Sequence, residues 1–386
     1  MGIFLAKDLI ESTLENKVTL VDIKLENLKK AKDLIKSDRL LIQEFNIENE
    51  QKRKELFKNK QVAICALLHK YSLIALEEAV RSGTHYVDLV GEFPISRRKY
   101  DSIAKEKDII LLSGMGASPG ITNICAGRAT YLLDEIEKIL IFAGGNPVHP
   151  QAPLNYKIVY SIESLLNLYD RKARIIKSGE IREVDTLSGL ELISFPPEFS
   201  EMECFYTDGL NSLIHTMRGK VNDELSAKTI RHKGHSAAIK ILKSCGLFSK
   251  EIIFINGQSI IPRRVIEILL NNKMVLDNDQ DVTMLRVSIT GKKSSIYEKH
   301  IFEMIDYFDP IQNCTSMARA TSFPASIASQ MIAGEKISVR GTLFPEEVFH
   351  TNLFEPFMAE LNHRGVTINH SISTKNLALS QSDGKH

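Results

Sequence analysis

The sequence lacks a charge excess and lacks any long apolar run. Its 49 lysine and arginine residues stand against 48 aspartate and glutamate residues, which leaves a formal net charge of +1. Proteins bind nucleic acids and anionic membrane surfaces largely through a basic excess that releases counterions, and this chain has no such excess. No apolar stretch reaches the roughly 20 residues that cross a bilayer. The composition therefore predicts no nucleic-acid partner and no membrane partner.

Cysteine is also scarce, and its spacing disfavours two further classes of protein. The five cysteines form no C-x-x-C pair and lie far apart in the chain: Cys65, Cys125, Cys204, Cys245 and Cys314. An odd, scattered set of this kind fits reduced thiols better than a disulfide framework or a zinc site. The N-terminal segment carries its first charge, Lys7, too early for a secretory signal. We therefore predict a cytoplasmic protein without a bound metal.

What the chain does have is the length for more than one hydrophobic core. Domains usually run about 100–200 residues, so 386 residues predict two domains, or three. A hydrophobic content of 43% and a charged content of 25% are those of an ordinary globular protein. The composition thus excludes a mainly disordered chain and a fibrous one.

The first 115 residues alternate between helical and strand patterns. Helices are recognised by apolar side chains near the 3.6-residue period, and buried parallel strands by short, uninterrupted apolar runs. The predicted helices are residues 2–15, 25–35, 72–82 and 96–107, and the predicted strands are residues 18–22, 62–67, 85–89 and 109–112. Ser72 is predicted to cap the third helix and Gly83 to end it. This alternation predicts an α/β fold with a Rossmann-like doubly wound parallel sheet.

The pattern changes after residue 113. Residues 114–120 are predicted to form a loop that leads into a helix at Ile121, and residues 144–153 have too many prolines for any element. Further on, longer strands such as residues 282–289 predict an α+β second domain. Residues 319–333 and 354–363 are predicted helices, and the polar tail from residue 371 is predicted to be frayed.

Asp22 is the first candidate functional residue. A carboxylate that ends the second strand of a dinucleotide-binding fold accepts hydrogen bonds from the adenosine ribose, and it would repel the 2′-phosphate of NADP. Asp22 therefore favours NAD, although a residue that merely forms the turn after the strand would look the same.

Gly2 lies about 20 residues before Asp22, where the last glycine of a G-x-G-x-x-G fingerprint belongs. The first strand and the first two glycines of that fingerprint are missing. Either the sequence begins at an internal methionine, or the protein has lost its pyrophosphate loop. In both cases the strands at residues 18–22 and 62–67 are expected to lack a neighbour and to leave apolar edges unpaired.

Several segments resemble the saccharopine dehydrogenase and lysine dehydrogenase superfamily. They occur in the family's order from residue 2 to about residue 370: THYVDLVG at 84–91, GASPGITN at 116–123, FYTDGL at 205–210, KTIRHKGH at 228–235, SMAR at 316–319 and GTLFPE at 341–346. Within this superfamily, GGNP at 144–147, with Pro150 and Pro153, is most similar to lysine 6-dehydrogenases.

The resemblance implies two functional domains and a homodimer. Residues 1–116 would form the NAD-binding Rossmann-like domain without its first strand, completed by part of residues 317–370. Residues 117–316 would form the α+β substrate and dimerisation domain, and residues 371–386 a polar tail. The loop of Ala117, Ser118 and Pro119 would lie against the nicotinamide, with the first N–H groups of the following helix directed at the site. Leu67, Leu68 and Leu89 are further candidates for cofactor binding.

The remaining candidates concern the substrate. Asp88 ends a strand at the carboxyl edge of the predicted sheet, where it could bind the ammonium group of an amine or take its proton, or simply cap a helix. Thr229 and Arg231 match a T-x-R segment that contacts substrate in the family, and an arginine fork suits the carboxylate of an amino acid. Tyr206 is a further substrate-binding candidate, and His235 is a candidate base.

One departure from the family bears on the substrate. Glutamate-forming saccharopine dehydrogenases carry an N-R-D-S segment after the position of Tyr206, whereas residues 207–212 here read TDGLNS, without an arginine. The departure favours a smaller amino acid and hence an NAD-dependent lysine 6-dehydrogenase. A saccharopine or carboxynorspermidine dehydrogenase-type reductase is the alternative of the same class. A non-catalytic protein that has lost its cofactor loop is the alternative of another class.

Overall fold

The computed structural model describes residues 1–13, 15–91, 94–158, 161–275 and 280–376. Over residues 1–132 the elements are α1 (Gly2–Glu11), β1 (Val18–Asp22), α2 (Leu25–Ile35), β2 (Leu40–Glu44), α3 (Glu50–Phe57), β3 (Val62–Cys65), α4 (His69–Ser82), β4 (His85–Asp88), α5 (Pro94–Arg98), α6 (Asp101–Glu106), β5 (Ile110–Ser113) and α7 (Ile121–Leu132).

The second half of the chain contains most of the strands. Its elements are β6 (Glu135–Pro147), α8 (Ile162–Asp170), β7 (Ala173–Lys177), β8 (Glu180–Val184), β9 (Glu191–Phe195), β10 (Phe199–Tyr206), α9 (Leu213–Thr216), β11 (Val221–His232), α10 (His235–Ser244), β12 (Ile253–Ile255), β13 (Gln258–Ile260), α11 (Pro262–Lys273), β14 (Asp281–Lys293), β15 (Ile296–Tyr307), α12 (Ser316–Ala333), β16 (Gly341–Leu343), α13 (Pro345–Val348), α14 (Phe354–His363) and β17 (Asn369–Asn376).

The chain divides into two compact units. The first unit comprises Met1–Leu132, Asn211–Thr216 and Ala318–Thr367. The second comprises Leu133–Leu210, Met217–Met317 and the segment from Ile368. Helix α7 therefore belongs to the first unit, whereas the sequence predicted a domain boundary before this helix, between residues 116 and 117.

Parallel sheets form the centre of the first unit. A four-stranded sheet has the order β16-β5-β4-β3, and each neighbouring pair in it is parallel. Strands β1 and β2 form a second parallel pair. Because parallel neighbours need a crossover connection, helices separate the successive strands. The predicted Rossmann-like parallel sheet is confirmed.

Two strand edges of the first unit are unpaired within the described residues. Strand β1 pairs with β2 alone, and β3 pairs with β4 alone. Helix α1 begins beside both strands, since a Cβ atom on Gly2 would lie 3.8 Å from Cβ of Ala66 and 4.0 Å from Cδ1 of Leu20. The unpaired edges that the sequence predicted at these two strands are therefore present in this part of the chain.

A mostly antiparallel sheet of nine strands forms the second unit. Its main path has the order β17-β15-β14-β6-β11-β10-β9, and β7 and β8 extend it from β11. Only β6 and β11 are parallel within this described path. One apolar cluster combines Phe205 of the sheet with Tyr169, Ile239 and Ile266 of helices α8, α10 and α11. The α+β fold that the sequence predicted for the second domain is therefore confirmed.

Several predicted elements have different bounds. Strand β2 and helix α3 were not predicted, and the single helix predicted over residues 96–107 is two short helices, α5 and α6. Helix α4 begins at His69, so Ser72 is inside it and does not cap it. Gly83 does end this helix, in the left-handed conformation at φ +71°.

Two segments predicted to be irregular are strands. Residues 144–147 belong to β6, where they pair with the start of β14. The glycines here allow close strand contact, because a Cβ atom on Gly144 would overlap the carbonyl oxygen of Ile230 on β11. Residues 371–376 of the predicted frayed tail belong to β17, which pairs with β15 along its length. Residues 377–386 of that tail lie outside the described residues.

Candidate active site

The cofactor candidates of the first unit follow the carboxyl ends of parallel strands. Asp22 is the last residue of β1. Leu67 and Leu68 lie between β3 and α4, Leu89 directly follows β4, and the loop that contains Ala117, Ser118 and Pro119 follows β5. Ligands of parallel α/β sheets bind at this edge. Leu68 is 41% exposed, whereas Leu89 and Ala117 are buried, so Leu68 is the more accessible apolar side chain.

The Asp22 carboxylate has two contacts within its own turn. Its Oδ1 accepts a hydrogen bond of 2.8 Å from the backbone N–H of Lys24, and its Oδ2 accepts one of 3.1 Å from the side-chain amide of Asn27. Both contacts fit a turn-forming residue. A carboxylate accepts about four hydrogen bonds, so the half-buried group keeps capacity for the hydroxyls of a ribose. The residues at this position thus fit a dinucleotide, and the preference of Asp22 for NAD stays a prediction.

The loop after β5 is closed on itself by backbone hydrogen bonds. Gly116 N–H donates to the Pro119 carbonyl at 3.0 Å, and Ile121 N–H donates to the Gly116 carbonyl at 2.9 Å. Thr122 N–H donates to the Ala117 carbonyl at 3.2 Å. Carbonyls of the loop therefore occupy the N–H groups of Ile121 and Thr122, so these two groups are not directed at a cofactor. The exposed group at the loop's tip is the side chain of Ser118.

Gly120 is essential to this closed loop. Its φ is +129°, and a Cβ atom there would overlap the backbone of Gly116. We expect Gly120→Ala to lower the free energy of unfolding by about 2–4 kcal/mol, since the loop would have to open. Gly83→Ala is the matched control: φ is +71° but nothing lies within 4 Å. Urea unfolding followed by circular dichroism should show a clearly smaller loss, about 1 kcal/mol, for the control; equal losses would contradict the steric argument.

Asp88 is buried in a network that joins the loops after β4 and β5. Arg97 donates to its Oδ2 at 2.5 Å, and the backbone N–H groups of Gly91 and Gly114 donate to its Oδ1 at 2.8 and 3.0 Å. The hydroxyl of Tyr86 lies 3.1 Å from Oδ2. Both partners of the ion pair are fully buried. The carboxylate is committed to the guanidinium and the two loops, so the geometry does not support Asp88 as a base or as the group that binds the substrate's ammonium.

A second buried polar cluster of the first unit involves residues to which the sequence gave no role. The Asn123 side-chain amide donates to Glu346 and to the Ser212 hydroxyl, each at 3.1 Å. The hydroxyl of Thr216 donates to the other oxygen of Glu346 at 2.7 Å. Burial raises the pKa of Glu346. The cluster holds the beginning of helix α7, and therefore the loop before it, to helices α9 and α13. In the sequence, the residues of this cluster were marked by the family segments GASPGITN and GTLFPE, which end in Asn123 and Glu346.

The structure places the three substrate-binding candidates, Tyr206 on β10 and Thr229 and Arg231 on β11, on two different faces of the sheet. In the antiparallel register Thr229 lies opposite Phe205, and Tyr206 lies opposite Lys228. Residues directly opposite share a face, and neighbouring residues alternate between faces. Thr229 and Arg231 therefore share one face of the sheet, and Tyr206 lies on the other. Tyr206, whose ring lies 4.6 Å below the ammonium of Lys228, is not brought together with the other two.

Arg231 is buried among aromatic side chains. Its guanidinium carbon lies 4.6 Å from the ring centre of Tyr156, and its Nε donates to the Tyr169 hydroxyl at 3.1 Å. Only 1% of the residue is exposed. Arg231 is therefore not part of a surface salt bridge. A planar cation held by two tyrosines is a preorganised fork for a carboxylate.

His235 lies in the same cluster and is held at both ring nitrogens. Nδ1 is 2.8 Å from the Leu154 carbonyl and Nε2 is 2.8 Å from the Tyr169 hydroxyl. A carbonyl only accepts, so Nδ1 carries the proton and Nε2 accepts from Tyr169. Burial, with the nearby Arg231 charge, lowers the pKa of His235 to about 3. Such a ring is a poor proton acceptor, so the geometry favours a role in positioning Tyr169 and Arg231 over the predicted role as base.

Arg231 is part of a polar row across the sheet that the sequence did not reveal. Strand register places Glu203 opposite Arg231, and Thr283 opposite both Gly145 and Asp306. By alternation from the registered pair of Thr229 and Ala143, all of them lie on one face. Glu203, Thr283 and Asp306 are each no more than 5% exposed. The Thr283 hydroxyl has no hydrogen-bond partner in the described part of the chain, and a polar ligand would supply one.

Two kinds of feature were not found in the described ranges. No group of three or more histidine, cysteine, aspartate or glutamate side chains there could hold a metal ion. No helix there is both long enough and apolar enough to cross a membrane.

Two protein-family models together match most of the chain. Residues 1–112 match the model described as the saccharopine dehydrogenase NADP binding domain, and residues 116–366 match the saccharopine dehydrogenase C-terminal domain. A curated relative is the alpha-aminoadipic semialdehyde synthase of Arabidopsis thaliana, which is 22% identical over 331 residues, 63% of this chain and 31% of that protein. The chain thus spans about a third of the length of this relative.

Two solved structures share the fold over nearly the whole chain. The saccharopine dehydrogenase (L-Glu forming) of Saccharomyces cerevisiae has a TM-score of 0.79 at 18% identity, covering 97% of this chain and 98% of that one. The homospermidine synthase of Legionella pneumophila, solved in complex with NAD, has a TM-score of 0.63 at 12% identity and covers 100% and 92%. At these identities the likeness establishes the fold alone.

Proposed function

This chain belongs to the saccharopine dehydrogenase family, and from that premise we propose that it is a dehydrogenase that uses NAD to oxidise the CH–NH2 group of a small amino acid. The proposed reaction is that of a lysine 6-dehydrogenase. Held near Asp22, Leu68 and Ser118, NAD would supply the hydride acceptor for oxidation of the carbon that bears the amine, and hydrolysis of the resulting imine would give an aldehyde and ammonia.

The observation that carries this proposal is the buried Arg231 in its polar row. Its guanidinium would bind the substrate's carboxylate, and its hydrogen bonds to the Tyr169 hydroxyl and to the Ile230 carbonyl fix its orientation. Gly145 lacks a side chain, so an aliphatic chain could lie across the sheet there toward the Thr283 hydroxyl.

The Glu203 carboxylate accepts hydrogen bonds from the N–H groups of Gly234 and Ser236 at the start of helix α10. The carboxylate of Asp306 is therefore the group of this row that would favour a ligand with a cationic group. A diamino acid has this arrangement of charges.

The segment of residues 207–212 also supports a small substrate. An arginine does reach it from another strand, since Arg174 on β7 lies near Asp208. However, its guanidinium nitrogens Nε and Nη2 bind the two oxygens of Asp208 at 3.2 and 3.3 Å. The charge of Arg174 is neutralised by Asp208, so Arg174 is a weak candidate for binding the additional carboxylates of saccharopine. This observation favours a diamino acid over the saccharopine-type alternative.

The test is steady-state formation of reduced nicotinamide with a panel of substrates. L-lysine, L-ornithine, saccharopine and a polyamine would each be offered with NAD and with NADP. We expect reduction of NAD by a diamino acid alone, with release of ammonia. Activity confined to saccharopine would favour the reductase alternative. Absence of both dinucleotide binding and activity would favour the non-catalytic alternative.

Arg231→Lys tests the carboxylate site. Lysine keeps the charge but loses the planar fork, so KM for the amino acid should rise at least about tenfold while NAD affinity hardly changes. Steady-state kinetics and calorimetric titration of NAD measure the two effects. Arg174→Lys, whose arginine is bound to Asp208, is the matched control and should leave KM within about twofold. An unchanged KM in Arg231→Lys would assign that residue a purely structural role.

Asp22→Asn tests the cofactor preference. The carboxylate should make NAD bind at least about tenfold more tightly than NADP, because it repels a 2′-phosphate. The asparagine variant should lose most of that ratio. Titration of both dinucleotides into both proteins decides it, and a wild-type protein that binds NADP as well as NAD would contradict the assignment.

A further inference from the structure

Thr283 is a polar residue in an otherwise apolar stretch of strand β14. The residues that follow it on the same face of the strand are apolar and no more than 1% exposed: Leu285, Val287 and Ile289. Thr283 itself is 3% exposed. Threonine and valine have nearly the same shape, and both are favoured in strands. A valine would therefore pack equally well at this position, so the packing of β14 does not require the hydroxyl.

The hydroxyl of Thr283 is also unpaired among the described residues. Asp306 lies directly opposite it on β15, and side chains paired in this way have Cβ atoms about 4.5–5.5 Å apart. A hydroxyl and a carboxylate are therefore adjacent on one face of the sheet, and Thr283 makes no hydrogen bond within the described part of the chain. A buried hydroxyl without a partner lowers the stability of the free protein. Its presence is explained if a bound ligand supplies the partner.

Two strand spacings separate Thr283 from Arg231 in the polar row. Strand β6 lies between β11 and β14, and it contributes Gly145 at this level. Neighbouring strands lie about 4.8 Å apart, so β11 and β14 are roughly 10 Å apart. Nη1 of Arg231 donates to the carbonyl of Ile230 at 2.7 Å, which holds the guanidinium beside its own strand. One ligand can therefore contact Arg231 and Thr283 together only if its two polar groups are separated by an aliphatic chain.

We propose that Thr283 determines the substrate specificity of this site by binding the distal ammonium group of a diamino acid, an inference that rests on the proposed function. The α-ammonium is bonded to the same carbon as the carboxylate, so it stays close to Arg231 and does not reach across two strands. An amine at the end of the side chain does reach. An ammonium group has three N–H donors, and these donate to the Thr283 oxygen and to the carboxylate of Asp306.

This assignment predicts discrimination against amino acids that lack the distal amine. A site built to hydrogen-bond a polar group of its substrate rejects an analogue without that group, because the polar atoms of the site are then left unpaired. L-norleucine is L-lysine without the distal nitrogen, so it keeps the carboxylate and the aliphatic chain. The wild-type protein should bind L-lysine at least about 30-fold more tightly than L-norleucine.

The first test is calorimetric titration of L-lysine and L-norleucine into the full-length protein in the presence of NADH, which prevents turnover. In Thr283→Val the preference for L-lysine should fall at least about tenfold, because the variant has lost the acceptor. Thr283→Ser keeps a hydroxyl and should keep the preference within about threefold. Thr290→Val is the matched control, since Thr290 lies on the same strand but an odd number of residues away, on the opposite face. It should leave both affinities unchanged.

The second test is thermal melting of the protein without substrate. Thr283→Val removes an unpaired buried hydroxyl and fills the same volume, so it should raise Tm by about 2–4 °C. Thr283→Ser retains the hydroxyl and should give no such gain. A variant that is more stable and yet binds L-lysine more weakly is the signature of a residue kept for its ligand. A hydroxyl with a purely structural role would have the opposite effect on Tm.

Three results would overturn the assignment of Thr283. They are a wild-type protein that binds L-norleucine as tightly as L-lysine, a Thr283→Val variant that keeps the full preference for L-lysine, and a Thr283→Val variant that melts at or below the temperature of the wild type. The proposed function fails separately. A protein that neither binds nor oxidises a diamino acid contradicts the proposed function and with it the ligand of Thr283. Oxidation of a diamino acid with unchanged preference in Thr283→Val contradicts the role of Thr283 alone.

Discussion

Asp88→Asn is expected to lower the free energy of unfolding by about 3–5 kcal/mol, because it leaves the buried guanidinium of Arg97 without its counter-charge. The asparagine amide has a single oxygen, so it can accept from the N–H groups of Gly91 and Gly114 or from Arg97, but not from both, and the loops after β4 and β5 should loosen as well. Urea unfolding followed by circular dichroism measures the loss. Dinucleotide affinity, measured by calorimetry, should fall with it.

Two controls separate a structural role for Asp88 from a catalytic one. The double variant Asp88→Leu with Arg97→Met removes both charges and should recover much of the lost stability. Glu347→Gln breaks a partly exposed ion pair with Arg98 in the same unit and should cost less than about 1 kcal/mol. If Asp88→Asn keeps full stability and loses only turnover, then Asp88 acts on the substrate as the sequence first suggested.

The alternating first half of the chain was predictable because its signals are local. The strands at residues 18–22, 62–67, 85–89 and 109–112 are short apolar runs bounded by turn residues, and all four are present within a few residues of those bounds. Strand β2 was missed because its apolar run, Leu40 to Ile42, is only three residues long and is followed by the polar residues Gln43 and Glu44. Helix α3 was missed because six of its eight residues, EQKRKE, are polar.

Features that depend on distant pairing could not be predicted in this way. Gly144 and Pro147 indicate a loop when they are considered alone. They lie in β6 because β14 and β11 supply partners from more than 80 residues away in the sequence. The same limit applies to Tyr206 and Thr229, whose opposite faces are decided by the register of β10 against β11.

The candidate site shows the same division between local and long-range information. The sequence identified Arg231 and His235 from one short motif, and the structure does bring them together around Tyr169. It could not show that Arg97 neutralises Asp88, because ion-pair partners on separate elements leave no pattern in the chain. The sequence also could not show that Thr283 and Arg231 lie on the same face of the sheet, because the polar row forms only when several strands pair in the folded chain.

The burial of His235 should make the second unit sensitive to acid. Its pKa is lowered from 6.5 to about 3, so the folded chain binds fewer protons than the unfolded chain between these values. The free energy of unfolding is therefore unaffected by this ring above pH 6.5, and it decreases as the pH falls from 6.5 toward 3. At pH 4.5, two units below the ordinary value, the loss from this ring alone should be about 2–3 kcal/mol.

His235→Gln removes this titration while keeping a side-chain amide that can donate to the Leu154 carbonyl. Urea unfolding at several values between pH 7 and pH 4.5 should therefore give a flatter dependence on pH for the variant than for the wild type. His363→Gln, at an exposed histidine on α14, should keep the wild-type dependence. Equal slopes in all three proteins would mean that the pKa of His235 is not lowered in the folded state. In that case the ring could accept a proton near neutral pH, and its predicted role as base would regain support.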